Sequence, residues 1–405
     1  MRIKPFQALR PQAELARLVA SVPYDVVDTE EARELAKGNP RSFLRIGRPE
    51  IDLSPGTDIY SDEVYAKGLE NFLRFQNEKT LVREDREYLY VYRLVMGKHI
   101  QRGVVTCCRV EDYESNLIKK HEKTRTEKEK DRTRYVDTLN AHTGPIFLTY
   151  RDDAAIDRLV ADAERDQPLF DFTAVDGIKH TIWRVAATAD VINAFKNVPL
   201  CYIADGHHRA AAAVRVGIER RSGNQGHRGD EEYNWFMGVL FPASQLQILP
   251  YNRCVSDLNG LTQGDFVKAV AGKLNLREGA PPSPVGSRNV SMYLAGRWYG
   301  ISWDADLVQD PVMSLDVSVV QDRILEPILG IKDPRTDKRI EFTGGIRGPG
   351  ELVKNVDSGK AAVAFSMYPV TVNQMMAIAD AGRIMPPKST WFEPKLRSGL
   401  LIHTI

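Results

Sequence analysis

Cysteine is scarce in this chain of 405 residues: only Cys107, Cys108, Cys201 and Cys254. No CxxC pair occurs, which removes the usual zinc-module spacings and any disulfide framework. This usage fits a reducing compartment, so a cytoplasmic location is expected. Long apolar runs are also lacking, and no stretch approaches the length of a membrane span. Met1-Arg2-Ile3-Lys4-Pro5 is not followed by an apolar segment, so no signal peptide is expected. Charge of one sign is missing too. The formal net charge is +1, so the global field does not draw nucleic acid, and any anion site has to be local. Familiar cofactor signatures are missing as well: no GxxxxGK[ST] loop, no GxGxxG and no GxSxG elbow.

The chain is 43% hydrophobic and 27% charged, the balance of a globular protein with a sizeable core. Its length predicts two domains, here placed at 1–250 and 251–405. The first fifty residues are rich in turn formers, including Val22-Pro23-Tyr24-Asp25-Val26-Val27, and read as ordered loops. Apolar spacing predicts helices over 62–81, 152–163, 189–196, 316–328 and 372–381. Tyr- and Val-rich runs around Gly97-Lys98, and others around Asp176-Gly177 and Ala295-Gly296, predict hairpins. Thr124 followed by Glu127 has the pattern of a capping box and predicts a helix start there. Hairpins outnumber βαβ units, so the expected class is α+β.

Three segments carry chemistry. In the first, the apolar run Leu200–Ala204 meets Asp205-Gly206, and an Ala-rich helix then starts at His207. The first turn of such a helix has backbone N–H groups without intrahelical partners and the positive end of the macrodipole, a ready anion site. Gly206 allows close approach by a phosphate. His207, His208 and Arg209 add donors, Arg209 bidentately. The Asp205 carboxylate opposes that logic unless a cation such as Mg²⁺ bridges it to phosphate oxygens. The plainer alternative is an ordinary helix start capped by Asp205. A zinc site on His207 and His208 is disfavoured, because neighbours at i,i+1 diverge and no third ligand has metal-site spacing. In the second segment, Lys119–Thr124, Glu122 sits among basic residues and can serve as a proton acceptor if positioned against a hydroxyl. By residue pattern alone a solvated, charged helix end is the better reading. In the third, Pro386-Pro387 stiffen the approach to Lys388, Ser389 and Thr390, which suits either a substrate-gripping loop or a rigid surface turn.

Together the segments resemble the free L-serine kinases of the ParB/sulfiredoxin-like superfamily. Asp205-Gly206-His207-His208-Arg209 looks like their phosphate-binding box, Lys120-His121-Glu122 like their upstream His-Glu pair, and Pro387-Lys388-Ser389-Thr390 like their closing stretch. Over its full length the chain is similar to an uncharacterised bacterial family, domain of unknown function "ten-fifteen", sharing Pro23–Val27, His121–Thr124, Asp205–Arg209 and Met385–Thr390. The resemblance implies a ParB/sulfiredoxin-like nucleotide-binding core with insertions and a smaller α+β C-terminal domain. It implies phosphoryl transfer from ATP or ADP to the hydroxyl of free L-serine, giving O-phospho-L-serine. In that scheme Glu122 and His121 are the catalytic pair, Asp205–Arg209 bind the phosphates, Asp205 holds Mg²⁺, and Lys388, Ser389 and Thr390 bind the amino acid. More chain separates Glu122 from Asp205 than in the compact kinases. The alternatives are a kinase of another small alcohol and a ParB-like, nucleotide-gated DNA-binding protein. Neutral charge and the lack of an evident helix-turn-helix after the box disfavour the latter, and neither nucleic acid nor a membrane is an expected partner.

Overall fold

The computed structural model describes residues 1–305 and 310–405. Its contacts divide the chain into two units, Met1–Leu246 with Pro394–Ile405, and Gln247–Glu393. The sequence suggests one cut after residue 250. The chain instead returns to the first unit at Pro394 because its last residues find partners there: His403–Thr404 pair with Ala141–His142, and Leu9 pairs with Ile402.

The first unit is built on a nine-stranded mixed sheet. Its strands are β1 (Ile3–Lys4), β2 (Tyr90–Met96), β3 (His99–Arg109), β4 (Ile118–Lys119), β5 (Ile146–Tyr150), β6 (Phe170–Thr173), β7 (Lys179–Arg184), β8 (Cys201–Asp205) and β9 (Trp235–Pro242). They run in the order β4-β8-β5-β9-β3-β2-β7-β6, with β1 against β3. The predicted hairpins are β2/β3 and β6/β7, both antiparallel. Two pairs are parallel, β8 with β4 and β9 with β5. Every residue of β5 is buried, as expected of a central strand covered on both faces.

The helices of this unit are α1 (Asp62–Asn77), α2 (Thr126–Leu139), α3 (Ala154–Ala163), α4 (Thr188–Lys196) and α5 (His207–Gly223). Ile156 of α3, Phe195 of α4 and Ala210, Ala213 and Val214 of α5 join Val91, Leu148 and Ile203 of the sheet in one core. Phe72 and Phe75 of α1 pack with Tyr135 and Leu139 of α2 in another. Alanine, the best helix former, lets α5 lie close on the sheet.

Two local expectations change. The capping box at Thr124 does not form. Helix α2 starts at Thr126 after Arg125, which gives no side-chain cap, because the Thr124 hydroxyl donates to Glu129 Oε2 at 2.9 Å instead. A box does form where loops were expected: Asp28 and Glu31 cap the helix Thr29–Ala36.

The second unit holds a six-stranded sheet of β10 (Tyr251–Val255), β11 (Asn275–Glu278), β12 (Asn289–Leu294), β13 (Arg297–Ser302), β14 (Ile340–Gly344) and β15 (Val363–Ser366). The order is β11-β13-β12-β15-β10-β14, and every pairing is antiparallel. Helix α6 (Gly348–Asp357) lays Leu352 on Cys254, Ala361 and Ala364. Helix α7 (Val372–Asp380) begins with a complete capping box of Thr371 and Gln374. All four cysteines are free and buried. Among the described residues no helix is long and apolar enough to cross a membrane.

Candidate functional site

The parallel pair β4/β8 brings the first two sequence segments together. Ile118 pairs with Cys201 and Lys119 with Tyr202, an offset of 83 positions. Parallel strands run out on the same side of a sheet, so the residues after Lys119 and after Tyr202 emerge side by side. The offset persists beyond the strands: the Arg125 amide donates to His208 Nε2 at 3.1 Å. Between these points lie Glu122 on one segment and Asp205-Gly206-His207 on the other.

Strand β8 is irregular where it meets this site. Its register with β5 shifts between Ile203 and Asp205, a distortion of the kind that re-aims side chains at sheet ends. Gly206 then takes φ +92° as the N-cap residue of α5. That left-handed backbone favours glycine. A Cβ here would sit 3.1 Å from the Arg209 guanidinium carbon, so Gly206 also makes room for that side chain. The first intrahelical bond runs from the Ala210 N–H to the Gly206 carbonyl at 2.9 Å. The amides of His207, His208 and Arg209 precede it at the positive end of the helix.

Around this mouth the side chains have separate tasks. His207 is 5% exposed, with Nδ1 3.8 Å from Glu122 Oε2 and a buried Nε2 that has no hydrogen-bond partner among the described residues. Burial, then the neighbouring His121, holds its pKa well below the ordinary value, so it is neutral near pH 7. His121 is buried edge-on against it, ring centroids 4.5 Å apart at 87°. Burial pushes its pKa down to about 4, against the opposing pull of Asp205 and the Ile203 backbone. His208 accepts from Arg125 through Nε2, and burial lowers its pKa. Arg209 donates to the Pro145 carbonyl at 2.6 Å. Its Nη2 lies 3.7 Å from Asp205 and 3.9 Å from Asp25, and its Nε is buried without a hydrogen-bond partner among the described residues. The Glu122 side chain is 46% exposed.

Asp205 accepts the Gly206 N–H through Oδ1 at 2.9 Å and the Lys395 ammonium through Oδ2 at 3.2 Å. Although burial opposes ionisation, Lys395 and Arg209 hold its pKa below the usual carboxylate range. Both oxygens are therefore engaged. Among the described residues no group of three His, Cys, Asp or Glu side chains could hold a metal, and a Mg²⁺ held by one carboxylate with phosphate oxygens would need no such group. The cation that answers Asp205 here is Lys395.

Lys388, Ser389 and Thr390 belong to the second unit. Lys388 has φ +55° and its ammonium lies 5.2 Å from the Tyr251 ring centroid. Its carbonyl accepts from the buried Arg253 at 3.2 Å. The Ser389 hydroxyl is committed to the Pro386 carbonyl at 2.6 Å, inside its own turn. The structure thus joins Glu122 and His121 with the Asp205–Arg209 box inside one unit, and holds the closing loop in the other.

Sequence reading missed Lys395, which lies five residues past the third segment with no pattern of its own. It also missed Arg132, whose guanidinium carbon sits 4.1 Å from the Tyr24 ring centroid. The stiff Pro23-Tyr24-Asp25 turn was the available signal for that neighbourhood.

Comparison with solved structures finds SbnI with a C-terminal truncation from Staphylococcus aureus at a TM-score of 0.41 and 10% identity, covering 74% of this chain and 87% of that one. A free serine kinase in complex with AMP gives 0.37 and 11%, covering 74% and 92%. A conserved hypothetical protein from Pyrococcus furiosus gives 0.35 and 12%, covering 76% and 98%. Such low similarity leaves the chemistry to be read from this chain's own residues. No curated protein matches. The family described as "Protein of unknown function (DUF1015)" matches residues 3–318, and the chain is a member of that family.

Proposed function

We propose that this protein is a small-molecule kinase that transfers a phosphoryl group from ATP or ADP to a hydroxyl, with free L-serine as the acceptor. The proposal includes a ParB/sulfiredoxin-like nucleotide-binding core and a cytoplasmic setting, the latter supported by four free, buried cysteines. One observation carries it: the β4/β8 register sets the Glu122 carboxylate beside His207, at the mouth of a helix opened by a left-handed Gly206. That puts a proton acceptor next to an amide-rich anion site, which is the minimum phosphoryl transfer needs.

In the proposed reaction Glu122 takes the proton of the acceptor hydroxyl. The oxygen forms a bond to the terminal phosphorus of the nucleotide, the bridging P–O bond breaks, and the electron pair leaves with ADP or AMP. The amides of His207–Arg209, with the Arg209 and Lys395 cations, meet the charge on the phosphoryl oxygens. Neutral His207 orients the Glu122 side of the mouth, and His121 acts through His207 as a positioning residue. Mg²⁺, where bound, would be held partly by Asp205 and would offset the charge developing on the transferred group. Lys388, Ser389 and Thr390 remain part of the proposal as the amino-acid grip, on the strength of their sequence pattern alone.

The test is to incubate the purified chain with L-serine and either nucleotide and to detect phosphoserine by mass. Glu122→Gln should lower turnover by about a hundredfold or more, the usual contribution of a general base. Full turnover in that variant would reject the base assignment, and no phosphoserine with either nucleotide would reject serine as acceptor.

A further inference from the structure

The closing turn of the second unit is held in a backbone that its sequence does not favour. Lys388 has φ +55°, left-handed geometry that is uncommon outside glycine and persists where the surroundings hold it. What holds it is Arg253. This residue lies in β10, opposite Phe342 of β14 and Phe365 of β15, and is 3% exposed. Its Nη2 donates to the Lys388 carbonyl at 3.2 Å and its Nη1 to the Tyr251 carbonyl. The guanidinium carbon lies 5.4 Å from the Phe342 ring centroid.

Two neutral carbonyls leave the charge of that guanidinium unanswered. Arg297, Arg335, Arg339 and Arg383 of the same unit each pair with an acid. Arg253 and Lys388 pair with none among the described residues. Burial, against the neighbouring Tyr251, pushes the Arg253 pKa down to about 10, so it keeps its charge near pH 7. Lys388 is exposed, with its ammonium 5.2 Å from the Tyr251 ring centroid, and a ring face attracts a cation without neutralising it. A charge buried without a partner is costly, and an anion brought to the same turn offsets that cost. Arg209 and Lys395, the cations assigned to the phosphates, lie in the other unit beside Asp205. Arg253 and Lys388 have no part in that step.

We propose that Lys388 receives the carboxylate of a small amino acid and that Arg253 is its positioning residue, fixing the Lys388 turn and adding positive charge there. The proposal rests on the reading of Lys388, Ser389 and Thr390 as the amino-acid grip, and it assigns that grip the carboxylate end. Of the three, Ser389 turns its hydroxyl back on the Pro386 carbonyl, which leaves the Lys388 ammonium as the cation that meets the ligand.

The experiment uses the full chain with its lysines tagged as isotope-labelled dimethylamines, which keep their charge. It follows the Lys388 methyl signal by NMR, assigned by its absence in Lys388→Arg. L-Alanine, which has no hydroxyl to phosphorylate, is the probe, and L-alaninamide, which has no carboxylate, is the control. L-Alanine should move the signal and saturate, and alaninamide should not. Arg253→Met should weaken L-alanine by about tenfold or more, the loss of hydrogen bonds from a charged group, with ADP affinity by calorimetry unchanged. Arg253→Lys should recover part of that loss, because an ammonium restores the charge but not the two-carbonyl fork. If Arg253→Met fails to fold, Arg253→Lys decides the matter by a severalfold loss. An unmoved Lys388 signal, an equal response to alanine and alaninamide, or Arg253 variants that bind L-alanine like the unaltered chain would each overturn the proposal. A chain that binds L-alanine at Lys388 and makes no phosphoserine would sustain this assignment and reject the kinase reading. One that makes phosphoserine and leaves the Lys388 signal still would do the reverse.

Discussion

The two units differ in how their sheets end. In the first, β4 and β8 are parallel, so two chain segments leave the sheet on the same side and deliver Glu122 and Asp205–His207 to one place. In the second, every pairing is antiparallel, so neighbouring strands finish at opposite edges and no comparable meeting of loops arises from the sheet. The histidines follow the same division. All eight lie in the first unit and none in Gln247–Glu393. Two of them, His121 and His207, are buried side by side just beyond the parallel pair.

The sharpest way to break this comparison is pH. His121 has a pKa of about 4 in the folded chain because it is buried, against about 6.5 when unfolded. The unfolded chain takes the proton first, so the stability that comes from keeping this ring neutral is complete above about pH 6.5 and is lost as pH falls toward 4. His180, with a pKa of about 3 through burial, acts in the same direction. In the second unit burial raises Asp316 to about 6, against the opposing Arg288 N–H. Its contribution has the reverse sign, full below about pH 4 and lost as pH rises through 6. Hydrogen exchange on the whole chain, corrected for intrinsic rates, should show first-unit amides losing about 2 kcal/mol for each ring like His121 between pH 7 and 5. Second-unit amides around Asp316 should gain about 1 kcal/mol over the same interval. Parallel changes in both units would contradict the assignment.

Next in size is Gly206→Ala. The left-handed backbone and the 3.1 Å approach to Arg209 predict a loss of about 1–2 kcal/mol by denaturant titration. ADP affinity should fall at least severalfold, because the side chain that must move borders the helix mouth. Smallest is Thr371→Ala, which removes a complete capping box from α7. It should cost about 1 kcal/mol and leave ADP affinity unchanged. A Thr371→Ala variant with impaired nucleotide binding would erase the functional distinction between the units.

Much of this was legible in the sequence. The turn at Gly206 showed because an apolar run, a glycine and an alanine-rich helix follow one another without interruption. The hairpins at Gly97-Lys98 and Asp176-Gly177 showed through their turn residues. The nearness of Glu122 to His207 did not show in residue patterns at all and entered only through resemblance, because a strand of two residues, Ile118–Lys119, leaves no periodic signal. Thr124 misled for a physical reason: a hydroxyl near several carboxylate and amide partners takes the best-placed one, here Glu129 rather than the helix amide. Lys395 was hidden because its partner Asp205 lies 190 positions away, and only the return of the chain at Pro394 brings them together.

The central claim is that the helix mouth at Gly206 cradles the phosphates of a nucleotide beside Glu122. Calorimetric titration of the full chain with ADP tests it most directly. A saturable heat that vanishes when Arg209 is replaced by methionine is the predicted result, and a flat trace for the unaltered chain up to millimolar ADP would contradict it.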